Sequence, residues 1–100
     1  MNFSLDKLID LQEVDGSWLF NSAFLALLSN TKISKNVPDK FAAGVGTPEE
    51  RKTLWATAVA LYLLEECFNS RKGEWKRIAA KGSKFLKSAG VTDKSISSFI

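Results

Sequence analysis

The groups in this 100-residue chain that could carry general acid–base or nucleophilic work are eleven carboxylates and a single thiol, Cys67; there is no histidine. Histidine is the commonest general base, the commonest metal ligand and the usual activator of a nucleophilic serine or cysteine. Without it, zinc sites built on cysteine and histidine are excluded, and paired carboxylates are the familiar catalytic route left. The carboxylates are poorly spaced for that task. Glu65 and Glu66 are adjacent, so on a helix they point about 100° apart. Asp10, Glu13 and Asp15 read as a solvated face. Cys67, beside Phe68, reads as a buried structural thiol with no base to ionise it. The expectation is therefore a protein that is not an enzyme, with no cofactor, no metal and no small-molecule substrate.

Charge is more informative. Residues 1–20 hold one lysine against four acids, residues 21–70 hold five of each sign, and residues 71–100 hold eight basic residues against two acids. The net charge of +3 thus conceals a basic last third. Within it, Arg77, Lys81 and Lys84 are spaced by four and three, which places them on one helix face. Such a stripe is commonly just a solvated face. Its sharper reading is a docking surface for an acidic protein, and an alternative is a helical nucleic-acid-binding face over residues 76–87. The nucleic-acid reading is the weaker of the two, because no aromatic residue interleaves with the stripe and no phosphate-binding loop accompanies it.

The elements that must position these residues are helical. Ser4 as N-cap, Asp6 in the first turn, and Leu5, Leu8, Ile9 and Gln12 at helical spacing predict a first helix over about residues 5–14. Asn21 or Ser22 can cap a short buried helix, Ala23 to Ser29. Residues 30–47 carry Pro38, Gly44 and Gly46 without a period and read as a long loop. "TPEE" at 47–50 is a capping box with Thr47 as N-cap, Pro48 at the first helical position and Glu50 reaching back. It opens a helix over about 48–69, apolar almost all round from Leu54 to Leu64 and therefore central. A last helix over about 74–88 has an apolar stripe of Trp75, Ile78, Ala79, Gly82, Phe85, Leu86 and Ala89, with Gly90 closing it. Thr92 could cap one more short turn. Nothing alternates convincingly at period two, so the fold class is all-α: a compact bundle of four to five helices around a central apolar helix.

Gln12-x-x-x-Gly16-x-Trp18 follows the first helix. A glutamine amide can donate to a helix-end carbonyl, glycine permits the reversal, and tryptophan covers the join. Trp55 and Trp75 open the apolar faces of the last two helices and read as core anchors. The apolar run from Leu54 to Leu64 is shorter than the roughly 20 residues a membrane-spanning helix needs. Residues 1–4 lack the pattern of a signal peptide. One cysteine permits no internal disulfide, and an intracellular, cytoplasmic setting is expected.

Three segments in order, "LIDLQEVDGSW" (8–18), "WATAVALYLLEECF" (55–68) and "EWKRIAAKGSKFLKS" (74–88), resemble the C-terminal domain of proteins with a vault-inter-α-trypsin domain and a von Willebrand factor A domain. The von Willebrand factor A domain-containing 5 group is among them. A related region in the vault poly(ADP-ribose) polymerase binds the major vault protein. The resemblance implies one non-catalytic interaction domain over residues 1–100, a segment of a longer multidomain chain. It also implies a role in docking that chain to the vault particle as cargo. Gln12, Gly16, Trp18, Trp55 and Trp75 match positions that are structural in the family pattern; no partner-contact residue transfers. Exposure logic alone nominates Val37, Phe41 and Val45 in the long loop, together with Arg77, Lys81 and Lys84, as the contact surface. The Gln–Gly–Trp pattern also resembles the repeats of terpene cyclases. Those folds need several copies and an acidic catalytic motif that this chain lacks, so that likeness is local.

Overall fold

In the computed structural model, which describes residues 5–28, 37, 41 and 46–91, the chain forms α1 (Leu5–Asp10), α2 (Ser22–Leu28), α3 (Pro48–Cys67) and α4 (Lys72–Ser88). A turn of 3-10 helix, Asn69–Arg71, joins the last two. Extended pairing among the described residues is confined to an isolated antiparallel bridge between Gln12 and Trp18. The fold is all-α, as the periodicity predicts, and none of the described helices is long and apolar enough to cross a membrane.

α3 starts where the capping residues place it. Thr47 has extended backbone, and its hydroxyl accepts a hydrogen bond from the Glu50 amide at 3.2 Å, satisfying one of the helix's orphan donors. Glu50 turns its carboxylate back against Gly46, the residue before the cap. From Leu54 to Ala60 every residue of α3 is buried, followed by Leu63 and Leu64. Burial all round the helix is possible because three of its positions, Ala56, Ala58 and Ala60, are small and let neighbouring elements approach closely. α3 is thus the axis of the domain.

α4 begins at Lys72, two residues earlier than the sequence suggests, because the 3-10 turn feeds directly into it. Its end is a Schellman motif. Gly90 has φ of +85°, its amide donates to Lys87 O at 3.0 Å, and the Val91 amide donates to Leu86 O at 2.9 Å. Val91 and Leu86 are both buried in the core, the apolar contact that accompanies this motif.

α1 is shorter than the period implies: it ends at Asp10, not near residue 14. Gln12 and Glu13 leave helical geometry to enter the bridge with the segment ending at Trp18, and tertiary packing overrides their helical spacing. Asn21, rather than Ser22, caps α2; its Oδ1 accepts from the Phe24 amide at 3.1 Å. Phe24, Leu27 and Leu28 face the core while Ala23 and Ala26 are exposed, so α2 buries one face rather than most of its surface. Ser4 and Ser29, most of the 30–47 loop and the predicted turn after Thr92 lie outside the described residues.

Candidate functional site

The Gln–Gly–Trp segment builds a tight hairpin. The Glu13 amide donates to Ser17 O at 2.7 Å and the Gly16 amide to Glu13 O at 3.0 Å, so residues 13–16 form the turn. Gly16 sits at φ +95°, the position in a bulged hairpin turn where a side chain is disfavoured. Asp15 Oδ1 accepts from both the Ser17 amide at 3.0 Å and the Ser17 hydroxyl at 2.6 Å. Those bonds hold the Asp15 carboxyl below the ordinary aspartate range, the hydroxyl bond contributing most.

This hairpin is clasped to three helices. The Trp18 indole donates to Leu8 O near the end of α1 at 2.7 Å, and the Trp18 amide donates to the buried Thr57 hydroxyl of α3 at 3.0 Å. Thr57 in turn donates to Thr53 O at 2.8 Å. Gln12 bonds Gly16 O at 3.1 Å within the hairpin and Ile78 O of α4 at 2.9 Å. Its amide therefore spans to the middle of another helix and does not close the end of α1, which the Trp18 indole does instead. On the α4 side the two backbones nearly touch. A Cβ built on Gly16 would stand 2.5 Å from Lys81 O, and one built on Gly82 would stand 3.2 Å from Trp18 Cζ3 and 3.4 Å from Gly16 O. Gly82 reads in sequence as one member of the apolar stripe; in the fold it is the seat of the hairpin. Trp75 repeats the device of Trp18: its indole donates to Phe68 O, the C-cap of α3, at 2.7 Å.

α3 and the hairpin cover part of α4, the hairpin reaching the backbone of Lys81, and the rest of the helix surface is turned outward. Lys76, Arg77, Lys81, Lys84 and Lys87 are all exposed. The remaining described cations of the second half have partners. Arg51 donates to Phe41 O through Nε at 3.0 Å and Nη2 at 2.8 Å. Arg71 holds Glu74 through two oxygens at 2.7 and 2.8 Å, Lys52 lies 3.3 Å from Glu49, and Lys72 lies 3.7 Å from Glu65. No ion pair is formed by Arg77, Lys81 or Lys84 among the described residues. The stripe expected from sequence is therefore one continuous, outward, uncompensated surface.

The loop nominees fare differently. Phe41 is 2% exposed and packs edge-on against Trp55, with ring centroids 5.0 Å apart and planes at 74°. It is a core residue, not an exposed contact. Trp55 supplies the apolar surface, and the Arg51 fork holds the Phe41 carbonyl at the core's edge. Val37 is half-buried against the core, and Val45 lies outside the described residues. Among the described residues the large apolar side chains that stand in solvent are Val14 at the hairpin tip, 94% exposed, and Leu19, 41% exposed. A first helix drawn over residues 5–14 places Val14 inside it; in the structure α1 ends at Asp10 and Val14 falls in the turn that Gly16 closes.

The other chemical groups are placed without a common site. Cys67 is half-buried, and burial pushes its thiol above the ordinary cysteine range, which keeps it protonated and poorly nucleophilic. Glu65 and Glu66 are exposed. Among the described residues no group of three or more histidine, cysteine, aspartate or glutamate side chains could hold a metal ion. A shallow cavity of about 150 Å³ lies between the start of α3 and the end of α4, lined by Glu50, Thr53, Leu54, Phe85 and Ala89. Another, of about 210 Å³, lies between α1 and α2. Neither gathers convergent polar groups of the kind that fix a small ligand.

The Asp15 bonds carry a pH prediction. A folded-state pKa below the unfolded value means that the stabilisation is present above the ordinary aspartate pKa and is lost as pH falls through the depressed folded value. Asp15→Asn should therefore lower the urea midpoint at neutral pH. The gap to the parent chain should close in acid, below the ordinary aspartate range. A gap independent of pH would show that the charge on Asp15 does not matter to the hairpin.

Comparison of this chain with protein-family models, with curated proteins and with solved structures returns no match.

Proposed function

We propose that this domain is a non-catalytic, cytoplasmic protein–protein interaction module that docks its parent chain onto an acidic protein surface through the outward face of α4. The observation that carries this reading is the uncompensated stripe of Arg77, Lys81 and Lys84 on a helix fixed by the Gln12–Ile78 bond and the Gly16–Lys81 contact. A charged face on a rigid element is preorganised: it steers an oppositely charged partner and loses little freedom on binding. The partner we propose is the vault shell, through major vault protein, on the strength of the sequence resemblance. The stripe has no interleaved aromatics for base stacking, which favours a protein partner over a nucleic acid.

Reversing the three charges together (Arg77→Glu, Lys81→Glu, Lys84→Glu) tests this. The side chains are exposed, so the urea midpoint should correspond to a change of about 0.5 kcal/mol or less. Association with assembled vault shells at low salt should slow at least about tenfold, the effect expected when steering charges are lost. Association that is unchanged by the reversal, and flat across a salt titration, would remove this face from consideration.

A further inference from the structure

The hairpin tip and the basic stripe are neighbours of opposite sign on one surface. The tip is Glu13-Val14-Asp15, all exposed, with Val14 protruding between two carboxylates. It rests on α4 at Lys81, the middle residue of the stripe. The two do not neutralise each other within the chain: no ion pair joins Glu13 to the stripe among the described residues, and the Asp15 carboxylate is turned into its own turn by Ser17. The clasp that fixes the hairpin to α4 also fixes this arrangement.

We infer that the domain associates with a second copy of itself, the acidic-apolar tip of each copy seated on the basic stripe of the other. Adjacent patches of opposite charge are what a two-fold interface requires, since rotation about an axis between them sets each tip against the partner's stripe. Glu13 then meets Lys81 and Arg77 across the interface, and the two Val14 side chains leave water near the axis. The surface is small, so the dimer belongs to the weak, salt-sensitive class. It uses the same cations as the proposed docking, so the dimer and the docked complex exclude each other. The dimer itself does not depend on the docking reading.

Sedimentation velocity on the intact chain, from about 10 µM to about 1 mM, reads this directly. At low salt the mass should move toward that of a dimer over this range, and about 0.5 M salt should abolish the shift by screening. Glu13→Lys and Lys81→Glu, each alone, should weaken association at least about tenfold. An equimolar mixture of the two variants should restore it, because each residue 13 then faces a residue 81 of opposite sign. Circular dichroism confirms that these exposed changes leave the fold intact. A chain that remains monomeric throughout, or a mixture that associates no better than either variant, overturns the proposal.

Discussion

Alanine at position 16 is expected to destabilise the domain by roughly 3–4 kcal/mol, combining a left-handed backbone cost of about 1–2 kcal/mol with the strain of an overpacked contact. Gly16 lies at φ +95°, and the added Cβ would stand 2.5 Å from Lys81 O, a backbone atom that a rotamer change cannot move. The hairpin must lift from α4, which stretches the Gln12–Ile78 bond. Gly90 provides the control. It has φ +85°, and an added methyl group there would meet nothing within 4 Å. Gly90→Ala should therefore show the conformational cost alone, about 1–2 kcal/mol. Urea midpoints of the two variants separate the effects. Equal losses would mean that the close approach of hairpin and helix carries no weight.

Trp18→Ala should cost about 3–5 kcal/mol for the lost side chain alone, a large part of the roughly 5–15 kcal/mol that holds an ordinary domain together. Trp18 is fully buried, and its indole serves the end of α1 while its ring lies against Gly82. The expected result is loss of cooperative unfolding by circular dichroism at 25 °C, or a transition at much lower urea. Trp18→Phe keeps most of the packing but leaves Leu8 O without the indole donor, so it should cost about 1–3 kcal/mol. A Trp18→Ala variant that unfolds like the parent would show that the clasp is dispensable.

What the chain discloses before folding follows from the range of each interaction. The start of α3 is legible because Thr47, Pro48 and Glu50 act on amides a few residues away. The basic stripe is legible because its spacing is local to one helix. The role of Gln12 is half legible: its bond to Gly16 O is local, while its bond to Ile78 O spans 66 residues and has no sequence signature. Gly82 reads only as one more position of the apolar stripe until Trp18 and Gly16 are seen against it. Phe41 looks exposed because it lies in a long stretch without a period, yet Trp55 offers it an aromatic face from another element. α1 stops early because the bridge to Trp18 and the clasp on α4 outweigh the helical preference of residues 11–14. These are tertiary facts, and periodicity is blind to them.

The measurement that bears most directly on the docking reading is retention of this chain by assembled vault shells. An unrelated acidic protein and a duplex DNA serve as controls at low and physiological salt. The expected result is retention by shells alone, persisting at physiological salt and lost on reversal of Arg77, Lys81 and Lys84. Retention by all three that vanishes with salt, or by none, would contradict docking through this face.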